Sequence, residues 1–485
     1  FYVARFHEFW RDETQTALIA RAVPLGGLLQ VMRNQAVPPV VFCVLKVVGV
    51  FGPPYSLSLL AVLGFASLLF GTYQLLFTIS RSAPRSALAT AAFAITDTYY
   101  YELGVVVRQY GLGLGFALAC VALLGRAIES DDSRDARWGA AFGALAVSTS
   151  VHPGCLSGSA LLVYSVLRLA RKRTAWSIVE PLCTVPAFLF TFFLLTPYDR
   201  APEMVGAFHR TFGEGLAVVG AALLDGVLCR GWWTPEGVAP LKVAIVFVTC
   251  AGLAGVLLLR LRATKLRTEL ATFYAATFIL NTLTLSYIFV VRMAGLYRHH
   301  LFTFIPVMVA AVGLLLRSSE ERQPSPALRF GSAALLIPWF LFQYWVCGLD
   351  LRGDFRGAFS GTKAAAAALP PGARVVVAGQ DWVGLGILYW RPDVSMRAQS
   401  SKGRPFRYLV QDWEWHSEVP LPPLLADECR NATDVYVVAP GDSRPADIRC
   451  DAPVLTASSL IPNEHFTLLD VRCSCLAQLS PLPIN

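Results

Sequence analysis

The chain reads as a polytopic α-helical membrane protein with a small α/β domain at its C-terminal end. Three observations predict this. Hydrophobic residues make up 55% of the 485 positions and charged ones only 15%, with a mean hydropathy of +0.52, an excess that a soluble domain of this length does not need. Apolar runs of membrane-crossing length recur between residues 55 and 347. After Cys347 the long apolar runs give way to polar sequence interrupted by short strand-like stretches. Three regions follow: residues 1–54 as a first loop, 55–347 as the helical membrane domain and 348–485 as a soluble domain.

The expected spans are Tyr55–Thr78, Ala87–Val107, Leu112–Ile128, Trp138–Val151, Gly154–Leu169, Ile178–Pro197, Leu241–Leu259, Leu270–Val291, Leu301–Leu316 and Phe330–Cys347. Basic residues gather in alternate connections between them. The groups are Arg81 with Arg85, Arg126 with Arg134 and Arg137, Arg168 to Arg173, Arg260 to Arg267, and Arg317 with Arg322 and Arg329. The net charge of +8 is therefore a topology signal rather than a nucleic-acid footprint, and the positive-inside rule makes these loops cytoplasmic. Counting spans outward places residues 7–54, the Glu102–Tyr110 turn, His152-Pro153, Tyr198–Pro240, the Arg292–His300 turn and the C-terminal domain on the far side.

Two consequences follow from this parity. Val40–Val50 is short and carries Lys46, so it is expected to lie along the outer interface as an amphipathic helix. The loop holding Asp12 and Glu13 is already outside, so an initial span is expected ahead of Phe1, bringing the total to about 10–11.

In the C-terminal domain, Ala373–Ala378 and Asp434–Ala439 read as short buried strands, with Gly384–Tyr389 as the start of a helix or another strand. Cys429, Cys450, Cys473 and Cys475 suit disulfides in an oxidising compartment, with three connectivities open. Their spacing fits no zinc ribbon. Asn431-Ala432-Thr433 is a glycosylation sequon, relevant only in a eukaryotic lumen.

The opening His7-Glu8-Phe9-Trp10-Arg11-Asp12-Glu13-Thr14-Gln15, then Leu18-Ile19-Ala20-Arg21 and Pro38-Pro39, resembles the first outer loop of GT-C glycosyltransferases of the protein O-mannosyltransferase and aminoarabinose transferase type. Tyr101-Glu102 with Arg108-Gln109-Tyr110, and Leu296-Tyr297-Arg298-His299-His300, resemble further stretches of glycosyltransferase family 39. The resemblance implies an enzyme of a bacterial inner membrane that takes a hexosyl or pentosyl group from a polyprenyl-phosphate donor. It passes the sugar, usually with inversion, to a glycan, lipid or protein acceptor at the extracytoplasmic face. The chain departs from the pattern at Val37, where relatives carry His or Lys before the Pro-Pro pair; Lys46 or Arg33 is the candidate replacement.

That chemistry asks for particular residue types. An acceptor hydroxyl that attacks an anomeric carbon must lose a proton, and a carboxylate within reach is a suitable general base. Asp12 is the first candidate and Glu13 the second, although adjacent acids also start helices well. The leaving lipid phosphate needs cationic donors. Arg108 and Arg298 present forks that match two phosphate oxygens, with His299 and His300 beside them. Lys46, Tyr110 and His152 are further candidates for the donor phosphate or sugar, and Trp232-Trp233 for stacking on a sugar ring. Glu102 is a candidate partner of Arg108, but six residues turn an ideal helix by about 240°, so pairing requires a bend. A divalent metal has nearby acids in Asp12, Glu13 and Glu102, yet no ligand spacing demands one. The competing classes are a transporter or flippase of lipid-linked sugars and a non-catalytic assembly protein. Ionisable residues at the outer span ends, rather than at mid-membrane, favour an interfacial active site.

Overall fold

The computed structural model describes residues 11–28, 39–52, 55–97, 109–172, 268–291, 301–317, 330–341, 361–378, 381–401, 403–408, 419–430, 432–440, 453–459 and 465–476, with a few single positions between them. In chain order the helices are α1 (Arg11–Ala22), α2 (Pro39–Val48), α3 (Tyr55–Ser80), α4 (Ala83–Thr96), α5 (Gln109–Ser130), α6 (Ser133–Val147), α7 (Val151–Lys172), α8 (Thr268–Val291) and α9 (Leu301–Leu316). Then come α10 (Phe330–Leu341), α11 (Gly361–Ala368), β1 (Arg374–Val377), α12 (Asp381–Trp390), β2 (Ser395–Ala398), α13 (Leu421–Cys429), β3 (Asp434–Pro440), β4 (Val454–Ser459), β5 (His465–Arg472) and α14 (Cys473–Leu476). Two compact units result. A sheet unit comprises Phe1–Leu60, Val105–Val107 and Leu351–Asn485; a helical unit comprises Ala61–Gly104 and Arg108–Asp350.

The helical unit is built around α5. Among the described residues, α3, α5 and α7 are long and apolar enough to cross a membrane. Leu114, Ala117, Leu118, Cys120, Val121, Ala122 and Leu124 of α5 are all buried, so that helix is apolar all round because its neighbours enclose it. Small residues set the approach of α3. A Cβ on Gly71 would lie 2.2 Å from the Gly115 carbonyl oxygen, and Ser67 Oγ donates to the Leu112 carbonyl at 3.1 Å. This is the small-residue packing by which membrane helices maximise contact where lipid supplies no hydrophobic drive.

The basic residues expected in cytoplasmic loops meet at one end of this unit. Arg81 pairs with Glu129 and Arg168 with Asp131. Arg126 reaches Asp135 at 3.2 Å, Arg171 reaches Glu269 at 3.7 Å, and Arg317 donates to the Ile79 carbonyl at 2.9 Å. Arg81 and Asp131 are the described non-glycine residues with positive φ, 59° and 62°. Each stands just past a helix C-terminus, where a left-handed residue ends the helix and reverses the chain.

Helix boundaries follow the apolar runs with two differences. The expected span Ala87–Val107 is interrupted, because α4 ends at Thr96. The reason is Asp97, whose carboxylate accepts from the Tyr100 backbone N–H at 3.2 Å, the geometry of an N-cap restarting a helix. Tyr100 in turn sits 2.6 Å from the Thr72 hydroxyl and stacks on Phe93 at 5.3 Å. Likewise α6 stops at Val147, where the Thr149 hydroxyl turns back to the Ala146 carbonyl at 2.6 Å. The expected spans Ile178–Pro197 and Leu241–Leu259 lie outside the described residues.

The sheet unit has five strands in the order β2-β1-β3-β5-β4. β1 runs parallel to β2 and β3, while β5 is antiparallel to β3 and β4. Side chains alternate between two cores: Val375 and Val377 face one containing Ala365, Leu385 and Leu388, and Val376 faces the other with Leu421, Leu424 and Leu425. A strand covered on both faces reads as a continuous apolar run, which is why 374–377 is legible in sequence. Gly384–Tyr389 resolves as part of helix α12, and the cysteines resolve as a Cys429–Cys473 disulfide. Cys450 and Asn431 lie outside the described residues. Leu18 of α1 belongs to the first of these cores, so the N-terminal segment folds with the C-terminal sheet rather than apart from it.

Candidate active site

Asp12 and Glu13 occupy the first turn of α1, a helix of 12 residues, where the dipole favours carboxylates. The rest of the helix is held firmly. Thr14, Gln15, Ala17, Leu18, Ile19 and Ala20 are buried. At its C-terminal end, Lys46 of α2 donates through Nζ to the Ala20 carbonyl at 2.8 Å, which satisfies one of the carbonyls left open by a helix end. Lys46 thus has an intramolecular partner, half-buried on a helix whose Val41, Phe42, Leu45 and Val48 are also buried. An ammonium carries three donors, so a carbonyl contact leaves it able to face an anion.

Arg21, one residue further, lies 5.6 Å from the Tyr389 ring centroid and donates to the Tyr389 carbonyl at 3.4 Å. Tyr389 is fully buried, and its phenol oxygen is 3.1 Å from the Ser56 hydroxyl. Neither Ser56 nor Tyr389 carries a sequence signal of this joint; their chain separation is 333 residues.

In the helical unit, Tyr110 at the start of α5 and His152 at the start of α7 come together. Their ring centroids are 6.2 Å apart, edge to face. Phe302, at the start of α9, completes the cluster: it stacks on His152 at 5.3 Å and meets Tyr110 edge-on at 5.6 Å. His152 is buried, with Nδ1 3.3 Å from the Ser150 hydroxyl, and Asn281 donates to the Phe302 carbonyl at 3.1 Å. Three helix starts therefore share one aromatic and imidazole cluster. Its end of α5 is opposite the end bearing Arg126, as the loop parity requires.

Arg108 directly precedes Gln109-Tyr110 in the chain, and Arg298, His299 and His300 directly precede Leu301-Phe302; all four lie outside the described residues. So do Glu102, Arg33, Val37, Trp232 and Trp233. Among the described residues no group of three or more His, Cys, Asp and Glu side chains gathers as a metal site.

No protein-family model matches the chain, and no curated protein does. Solved structures do. The crystal structure of ArnT from Cupriavidus metallidurans in the apo state aligns over 98% of this chain and 96% of its own, with a TM-score of 0.58 at 15% identity. That of the same protein bound to undecaprenyl phosphate aligns over 97% and 95%, with a TM-score of 0.59 at 14% identity. The chain shares the fold of these structures, a mostly helical assembly with a small C-terminal sheet domain.

Proposed function

We propose that the protein is a glycosyltransferase that moves a sugar from a polyprenyl-phosphate donor to a glycan, lipid or protein acceptor at the extracytoplasmic face of a bacterial inner membrane. The observation that carries this reading is the likeness of fold along nearly the whole chain to a structure bound to undecaprenyl phosphate. The location of Asp12 and Glu13 on the first turn of a docked helix supports it.

In this reading a carboxylate of Asp12, or else of Glu13, takes the proton of the acceptor hydroxyl. The oxygen attacks the anomeric carbon from the face opposite the phosphate, and the configuration inverts. The bond between that carbon and the phosphate oxygen breaks, and the electron pair leaves with polyprenyl phosphate. Arg108 and Arg298 receive the developing charge with His299 and His300, a stabilisation that acts where charge builds during transfer. Tyr110, His152 and Lys46 contact the donor, and Glu102 orients Arg108.

The test is sugar transfer from a polyprenyl-phosphate donor by the full-length protein in lipid vesicles, comparing wild type with Asp12→Asn and Glu13→Gln. Loss of a general base costs about 10²–10⁴-fold in rate, so the variant of the true base falls by that much with donor binding retained. Undiminished transfer in both variants would overturn the assignment. Lipid-linked sugar moved across the bilayer without transfer, by wild type and variants alike, would make the protein a transporter.

A further inference from the structure

We infer that Tyr389 is a positioning residue, which holds the carboxylate-bearing helix α1 in register through Arg21 at its last turn and ties it to the first turn of α3 through Ser56. The inference rests on the proposed role of Asp12 and Glu13. Three observations in the sheet unit carry it. Tyr389 is fully buried on α12, yet its backbone carbonyl and its hydroxyl are directed at the N-terminal segment: the carbonyl takes the Arg21 guanidinium at 3.4 Å, and the hydroxyl meets Ser56 Oγ at 3.1 Å. The Arg21 guanidinium also lies against the ring, 5.6 Å from its centroid, an arrangement in which the ring quadrupole attracts the cation. Leu18, one turn earlier, is packed in the core formed by α11, α12 and β1.

The physical consequence is leverage. Asp12 stands nine residues from Arg21 on the same helix, about 13.5 Å along its axis. A helix fixed at Leu18, Arg21 and, through Lys46, at the Ala20 carbonyl can tilt little, so its first turn is held by contacts made at its last. A displacement near 1 Å at a reacting group can cost about 10²-fold in rate. The C-terminal domain therefore acts on the reaction through the placement of α1.

The experiment uses the full-length protein in detergent and the variants Tyr389→Ala, Tyr389→Phe and Arg21→Ala, with two readouts. Amide hydrogen exchange over residues 14–22 accelerates about tenfold in Tyr389→Ala and Arg21→Ala, while β1 and β3 keep wild-type protection, since exchange reports local opening separately from global unfolding. In the transfer assay kcat falls about tenfold or more with the donor KM within about twofold. Tyr389→Phe, which removes the hydroxyl that meets Ser56 and keeps the ring and the carbonyl, lies between these and wild type. Unchanged α1 exchange in Arg21→Ala and Tyr389→Phe overturns the inference even where Tyr389→Ala fails to fold, and so does intact kcat with a loosened α1. Should wild type transfer no sugar, the functional reading fails by itself, and the exchange data still decide whether Tyr389 holds the helix.

Discussion

Gly115 of α5 faces the backbone of Ser67 on α3 so closely that a Cβ on it would lie 2.2 Å from both the Ser67 carbonyl carbon and its oxygen. Backbone cannot swing aside as a side chain does. Gly115→Ala therefore forces α3 and α5 apart, loses the Ser67–Leu112 hydrogen bond and opens the small-residue seam. A cost of about 1–3 kcal/mol or more is expected. Gly26, in the single helical turn 25–28, is the control, because a Cβ there meets nothing within 4 Å; helical Ala in place of Gly gains up to about 0.5–1 kcal/mol. Thermal midpoints of the two detergent-solubilised variants should move in opposite directions. Equal midpoints would show that α3 and α5 are not in contact at this seam.

The Cys429–Cys473 disulfide joins the end of α13 to the start of α14 across a sequence separation of 44. It packs beside Leu421, Leu425 and Val471. Closing a loop of that length stabilises a fold by roughly 4 kcal/mol in the chain-entropy description. Replacing both cysteines with serine should make residues 419–476 the first to be cut by protease, while α5 and α7 stay protected. Wild-type protein in reductant should behave as the double variant does. A variant with unaltered proteolysis would argue against the link.

The exposed turn after α11 gives a prediction for acid. Asp393 accepts from Arg391 at 2.7 Å and 2.8 Å and from the Gly372 backbone N–H at 2.9 Å. The Arg391 hydrogen bonds, followed by that of Gly372, hold its carboxyl well below the usual range. Arg391 also donates to the carbonyls of Ala366, Leu369 and Pro370, closing the C-terminal end of α11, and Gly372 supplies the left-handed φ of 67° that the turn needs. A depressed carboxyl contributes stability above its unfolded pKa of about 4, lost as pH falls through the lower folded value. Asp393→Asn should thus destabilise the sheet unit at pH 7 and converge on wild type in strong acid. Parallel pH curves for the two proteins would refute the linkage.

Composition and apolar run length were enough to determine class and most helices, because hydrocarbon demands long apolar helices whatever their neighbours. Leu301–Leu316 was legible to its last residue, and the loop arginines predicted which helix ends lie together. The strand at 374–377 was legible for the same reason, being apolar on both faces. Asp12, Glu13, Tyr110 and His152 were visible as residue types suited to the proposed chemistry. What joins them to their surroundings was not, because tertiary contact carries no local signature: Ser56 and Tyr389 are ordinary residues far apart in the chain, and Phe302 looks like any span-end aromatic until α9 brings it onto His152. Lys46 read as a cation awaiting an anion, and only folding revealed the Ala20 carbonyl beside it. Tertiary structure alone selected Cys473 for Cys429, restarted a helix at Asp97 and merged the first loop with the C-terminal sheet. Each of those outcomes depends on which surfaces are buried together, a property of the folded chain as a whole.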